Sequence, residues 1–268
     1  LGWINREGTS RSNEAGAVPM TCWSGGRRAS RPVPDGATPP ELEVALVGGS
    51  WFQGYGVADD ETFAWQLGRR FPHVRFDNFG TGGYGTLQAG LSDELAVEAG
   101  RLATALVVYG FATFHAMRNV QTYTWLEGLR ARSGHRLVPP RAEIVEGALV
   151  RHPPVAALPD WPLELRSARA ATLHESAYRR ALRERDAWAE PVTRRLVRDL
   201  DRSVRDFPAR LLVAILYGDD DEIDRYVDDW RRHAIAHVDC RVPGDPWQPG
   251  LRVGGTGHPN AIAHAHWA

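Results

Sequence analysis

The sequence predicts an α/β domain built on a parallel sheet, and three observations carry that prediction. Strand-like and helix-like segments alternate from about residue 41 to the end. The strand-like runs Leu42–Val47, Ala103–Tyr109 and Arg210–Tyr217 are mostly or wholly apolar, as expected of parallel strands covered by helices on both faces. Glycines follow the first two strands, as Val47-Gly48-Gly49-Ser50 and as the loop Gly80–Gly85, where the chain must turn sharply at the carboxyl edge of such a sheet.

Residues 1–40 are rich in Gly, Ser, Arg and Pro and carry no sustained periodicity. They read as an irregular N-terminal extension over a domain spanning 41–268, with one short strand near Met20–Trp23 and a proline-stiffened linker through Pro32, Pro34, Pro39 and Pro40. After the first core strand, Asp59 or Asp60 can cap a helix that puts Phe63, Leu67 and Phe71 on one face. Val74–Asn78 is the second strand, and Thr86 opens a helix turning Leu87, Leu91 and Leu95 inward. Residues 111–165 break the rhythm with Trp125, Pro139-Pro140 and a hairpin around Val138–Val150; they read as an insertion at the carboxyl edge of the sheet. Ser167–Arg205 is helical, with a break expected before Pro191, because proline lacks the N–H and crowds the preceding turn. Asp219–Arg232 is a helix with an acidic start, His237–Val242 the last strand, and Pro259–Ala268 the last helix.

Composition excludes several functions. The formal net charge is −1, which offers no electrostatic footprint for nucleic acid or an anionic membrane. All 32 Lys-plus-Arg side chains are arginine, so Schiff-base chemistry and a phosphate-loop lysine are excluded. Cys22 and Cys240 form neither a disulfide framework nor a zinc motif; they could pair, and two buried thiols are the preferred reading. No apolar run is long enough to span a membrane, and no signal peptide is visible. The start at Leu1 and the stop at Ala268 in mid-pattern are compatible with a fragment of a longer chain.

Serine becomes a nucleophile when a nearby base takes its proton, and histidine is the usual base. Ser50, at the end of the first strand, and His258, before the last helix, are candidates for such a pair. The segments Val47-Gly-Gly-Ser50, Gly54-Tyr-Gly-Val57 with Glu61-Thr-Phe63, Asn78-Phe-Gly-Thr-Gly-Gly-Tyr-Gly-Thr86 and His258-Pro-Asn-Ala261 resemble, in order and spacing, the sequence blocks of the SGNH (GDSL) hydrolase superfamily. The resemblance spans about residues 42–110 and 205–268 and leaves the insertion and the N-terminus outside. It implies a flavodoxin-like three-layer sandwich and hydrolysis of a small acyl ester through an acyl-enzyme on Ser50, with His258 as base and no cofactor or metal. It also implies oxyanion donors from the backbone N–H groups of Ser50 and Gly83 and from a third-block side chain.

Three departures from that pattern bear on activity. Gly49 stands where the superfamily has aspartate. The third-block asparagine is absent, and His115 is the nearest equivalent, able to donate from its ring N–H. No carboxylate stands two or three residues before His258, where Gly255 and Thr256 are found; Asp245 or a backbone carbonyl is left to orient the ring. Trp51, Arg118 and Asn119 are candidate cleft-lining residues, with Trp125 and Trp161 as further apolar wall. Each candidate also has a structural reading: Ser50 as a turn or cap, His258 as a helix-start residue, His115 as a satisfied core histidine, Arg118 and Asn119 as bracing groups, the tryptophans as core. A metal at Asp219–Glu222 or at His258, His264 and His266 is the weaker account, since acidic helix starts complement the dipole and the histidine spacing does not share a face. The competing functional class is a catalytically inactive SGNH-like binding or scaffold domain, favoured by the missing acid and by Gly49.

Overall fold

The computed structural model describes residues 1–11, 17–34, 40–98, 105–133, 137–155, 162–163, 166–243, 248–254 and 257–268. The N-terminal segment carries a short antiparallel pair, β1 (Gly8–Arg11) with β2 (Pro19–Cys22), where one strand is expected from the sequence. The body follows as β3 (Leu42–Gly48), α1 (Ser50–Gln53), α2 (Phe63–Arg70), β4 (Val74–Asn78), α3 (Thr86–Glu98) and β5 (Leu106–Ala112). Then come α4 (His115–Val120), α5 (Tyr123–Ser133), the hairpin β6 (Arg141–Val145) and β7 (Ala148–His152), and α6 (Ala168–Arg205). The chain ends with β8 (Arg210–Tyr217), α7 (Asp220–Arg232), β9 (Ala236–Asp239) and α8 (Ala261–Trp267).

The central sheet has the order β4-β3-β5-β8-β9, and every adjacent pair is parallel. Counting only core strands, this is the 2-1-3-4-5 order of flavodoxin-like folds. The period-2 geometry of strands sorts the side chains. Ala45, Val47, Val107, Tyr109 and Val213 face one layer with Val197 and Leu200 of α6 and Trp230 of α7. Val44, Leu46 and Leu216 face the other, with Phe63 of α2 and Trp267 of α8. The hairpin packs on the domain, with Ala142, Ile144 and Leu149 against Leu87, Val120, Val192 and Leu196. Among the described residues, no helix is long and apolar enough to cross a membrane.

Local chemistry moves several predicted boundaries. Thr62, not Asp59 or Asp60, caps α2, its hydroxyl accepting from the Trp65 N–H at 3.3 Å. Asp59 is occupied elsewhere, accepting from the Thr21 N–H at 3.0 Å and from the fully buried Arg28 guanidinium. Asn260 caps α8 through the N–H groups of Ile262 and Ala263, so the helix starts at Ala261 rather than Pro259. β5 runs to Ala112, three residues past the expected end at Tyr109, and β9 stops at Asp239 rather than Val242. α6 runs through Pro191 without a break. Pro191 and Ala187 are exposed, leaving the carbonyl that proline cannot pair open to solvent, while Val192, Leu196, Val197, Leu200 and Val204 of the following turns are buried and hold the helix on course. Leu95 and Trp161 lie outside what is described of side chains.

The carboxyl end of β3 is shaped by two paired glycines. Gly48 and Gly110 are register partners on β3 and β5, and Phe52 of α1 lies over both. A Cβ on Gly110 would stand 2.5 Å from Phe52 Cγ, and one on Gly48 would stand 2.9 Å from Phe52 Cβ. The absent side chains let α1 settle onto the strand ends. Gly110→Ala is therefore expected to cost about 1–3 kcal/mol by overpacking. It should lower the melting temperature by several degrees, whereas Gly128→Ala, in α5 with open space around it, should be neutral or mildly stabilising. Equal melting curves for the two variants would show that α1 does not depend on this approach.

Candidate active site

Ser50 follows β3 and opens α1; His115 follows β5 and opens α4. β3 and β5 are the neighbours between which the strand order reverses, and ligands of open α/β sheets bind in the crevice beyond that point. The two loops meet at Gly49. A Cβ there would lie 2.9 Å from His115 Nε2, 3.1 Å from Arg118 Nη1 and 3.1 Å from the Tyr84 carbonyl oxygen. The glycine thus makes room for an imidazole and a guanidinium beside the serine. Among the described residues no hydrogen bond engages Ser50 Oγ.

The second loop is tied to this corner by backbone. Phe79 N–H donates to Leu46 O at 2.8 Å and Thr81 N–H to Gly48 O at 3.0 Å. Asn78 donates to the Phe52 carbonyl at 3.0 Å and accepts from the Gly80 N–H at 2.9 Å, joining the loop to α1. Gly83 sits at φ +83°, a left-handed conformation that favours glycine, and faces the rings of Trp3 and Trp125. The first residues of the chain lie over this loop. Trp3 Nε1 donates to Gly82 O at 2.9 Å, Tyr84 Oη donates to Trp3 O, and Asn5 Nδ2 donates to Gly80 O at 3.0 Å and Thr81 Oγ1 at 3.1 Å. Sequence reasoning missed this, because an aperiodic segment carries no sign of where it docks.

His115 is buried and held by a relay. Its Nδ1 is 2.9 Å from Tyr109 Oη, which is 2.8 Å from Thr86 Oγ1. Thr86 Oγ1 already accepts from Asn119 Nδ2 at 3.0 Å. Every hydroxyl is satisfied when Thr86 donates to Tyr109 and Tyr109 donates to His115 Nδ1. That direction leaves the ring proton on Nε2, the atom facing Gly49. Burial, and then the Arg118 charge, hold the His115 pKa well below its ordinary value, so the ring is a neutral donor. Tyr109 was not foreseen, since within an apolar strand it reads as core.

His258 lies on the same rim. Its ring packs on Tyr55 with centroids 4.9 Å apart, and the Tyr55 N–H donates to Ser50 O at 3.0 Å. Its backbone carbonyl accepts from the Val253 N–H at 3.0 Å. Burial first, then the charges of Arg118 and Arg132, lower its pKa to about 4, so at neutral pH it is the free base. Asp245, Gly255 and Thr256 lie outside the described residues.

Other candidates fall differently. Asn119 is spent on structure: its Oδ1 accepts from the Leu87 N–H at 3.1 Å and its Nδ2 donates to Thr86 and to Thr193 Oγ1 at 2.8 Å. It is almost fully buried and braces α3, α4 and α6 rather than lining a cleft. Trp51 is also core, packed against Phe114, Tyr217 and Trp267. Trp125 and Arg118 do flank Gly83 and Gly49. His264 is fully buried and stacks on Phe63, its Nδ1 accepting from the Phe63 N–H at 3.3 Å. Cys22 and Cys240 are free thiols.

The buried histidines make stability depend on acid. Burial, then the charges of Arg28 and His258, lower the His264 pKa to about 3. In the unfolded chain these rings titrate near 6.5. Between the folded and unfolded values the unfolded state binds more protons, so stability is complete above about pH 6.5 and falls as pH drops through 4 and 3. The urea midpoint should therefore decline steadily from pH 7 to pH 4, and His264→Gln, which does not titrate, should show a shallower decline. Parallel slopes would show that His264 takes no part.

No protein-family model matches the chain, and no curated protein matches it. Solved structures do align. A G-D-S-L family protein from Desulfitobacterium hafniense is 11% identical, with 85% of this chain and 95% of that one covered and a TM-score of 0.49. The psychrotrophic esterase EstA from Pseudoalteromonas sp. is 10% identical, with 85% and 92% covered and a TM-score of 0.47. An acetylxylan esterase, Axe2, from Geobacillus stearothermophilus is 11% identical, with 85% and 91% covered and a TM-score of 0.45.

Proposed function

We propose that the chain is a divergent SGNH-type serine esterase that hydrolyses a small acyl ester. Ser50 is the nucleophile and His258 the base, with the Ser50 and Gly83 N–H groups and His115 Nε2–H stabilising the oxyanion. The observation that carries the reading is the corner at Gly49, where the neutral, relay-oriented His115 stands beside the unengaged Ser50 at the strand-order reversal. His115 does what an asparagine side chain does in the superfamily the sequence resembles: it presents one N–H to the developing negative charge. The Ser50 hydroxyl adds to the ester carbonyl as His258 takes its proton. The imidazolium then protonates the leaving alcohol, and water, activated by the same ring, releases the acid. The orienting group for His258 is Asp245 or a backbone carbonyl. With a carbonyl the imidazolium gains less support, so turnover is low.

The test is labelling by a fluorophosphonate probe followed by peptide mapping. Modification of Ser50, lost in His258→Ala, is the expected result. A folded chain that takes up no label at Ser50 would leave the binding or scaffold domain as the better account.

A further inference from the structure

Among the described residues, the Arg118 guanidinium has no counter-ion. Its Nη1 donates to Tyr84 O at 2.7 Å, and its plane lies 4.6 Å from the Phe114 ring centroid and 4.8 Å from that of Trp125. Among the described residues no carboxylate reaches it and no second acceptor engages it. Arg28, Arg31 and Arg241, by contrast, are paired with carboxylates: Arg28 with Asp59, Arg31 with Asp77, and Arg241 with Asp220 and Asp239. A buried cation left unpaired is costly, and a guanidinium held between two rings presents a planar fork suited to a carboxylate. Its Nη1 stands 3.1 Å from the Cβ position of Gly49, the residue before Ser50.

We propose that Arg118 receives an anionic group of the substrate, so that the preferred esters carry a carboxylate or similar anion within a few bonds of the scissile carbonyl. This rests on the serine-esterase reading and deepens it. Arg132 of α5 reinforces the field: its charge acts on both Arg118 and His258. Burial, with Arg132 also acting against the charge, lowers the Arg118 pKa to about 9, so it stays cationic at neutral pH. An incoming anion relieves the electrostatic cost of this corner, and the aromatic rings fix the orientation of the fork.

The experiment compares matched esters. Mono(4-nitrophenyl) succinate is set against 4-nitrophenyl butyrate for an acyl-side anion, and 4-acetoxybenzoate against phenyl acetate for an alcohol-side anion. One of the two anionic esters is expected to exceed its neutral partner in kcat/KM by about 10- to 30-fold. That ratio should fall towards one in Arg118→Gln, fall partly in Arg118→Lys, and fall partly in Arg132→Gln, whose exposed position keeps folding out of the result. In parallel, succinate or 4-acetoxybenzoate binding is followed by tryptophan fluorescence, since Trp125 touches Arg118.

The outcomes separate the two readings. Fluorophosphonate labelling of Ser50 with both ester ratios near one, unchanged in Arg132→Gln, overturns the anion site and leaves the esterase standing. No labelling, with Arg118-dependent binding of an anion, overturns the esterase and keeps the site. Neither labelling nor anion binding overturns both.

Discussion

Ser50→Ala is expected to reduce the hydrolysis of an activated ester by about 10⁴-fold or more, and to leave the melting temperature within about 2 °C of the parent. The two halves of this expectation have different causes. In the proposed mechanism, turnover depends on a nucleophilic oxygen for which alanine offers no substitute. Stability does not depend on it, because among the described residues no hydrogen bond engages Ser50 Oγ. Ser50 is the first residue of the short helix α1, which is held in place by Phe52 on the paired glycines and by Asn78 on the Phe52 carbonyl. Alanine is at least as good a helix former there. Steady-state hydrolysis of the better ester, beside a thermal melt, checks both halves. A variant that keeps a tenth or more of the parent rate would remove Ser50 from the chemistry, and a large fall in melting temperature would give it a structural role.

Much of this arrangement was legible in the sequence, and the reasons differ by residue. The parallel sheet could be read because strands buried on both faces cannot hide their composition; Arg210–Tyr217 was bounded to the residue for that reason. Ser50 and His115 could be placed at strand ends because a parallel sheet delivers every such loop to one edge. Side-chain competition was less legible. Asn119 reads equally as a ligand contact and as a brace, and only the tertiary fold brings Leu87, Thr86 and Thr193 to all its polar atoms. Tyr109 and Trp3 carry no local signature, since one is an aromatic in an apolar strand and the other lies in an aperiodic segment. Pro191 shows propensity overridden by packing: a strong local breaker sits in a continuous helix because the turns after it are anchored in the core. The departure at Gly49 was visible, but its meaning was not, because the groups that fill the vacated space come from another loop.

Gly49→Asp, which introduces the residue usual in the superfamily the sequence resembles, is expected on the proposed reading to lower turnover by about 100-fold. The backbone does not object: Gly49 has φ −86° and ψ −163°, open to any residue, and it is the N-cap of α1, where aspartate is favoured. The melting temperature should nonetheless fall by a few degrees, because the new Cβ crowds His115 and the Tyr84 carbonyl. The surroundings object. The new Cβ would lie 2.9 Å from His115 Nε2, so the ring must move, and displacing a catalytic donor by about 1 Å costs about two decades. The carboxylate would also face the Tyr84 carbonyl, 3.1 Å from the same Cβ, and turn instead to Arg118. Pairing with Arg118 would abolish the preference for anionic esters and offset one of the charges that lower the His258 pKa to about 4. The acid limb of the pH–rate profile, which reports protonation of the base, should then move upward. Gly49→Ala separates the contributions: it brings the same Cβ without the charge, so it should lose turnover while keeping both the anion preference and the position of the acid limb. If Gly49→Asp were as active as the parent, or more so, the space that Gly49 leaves for His115 and Arg118 would not matter to the proposed site.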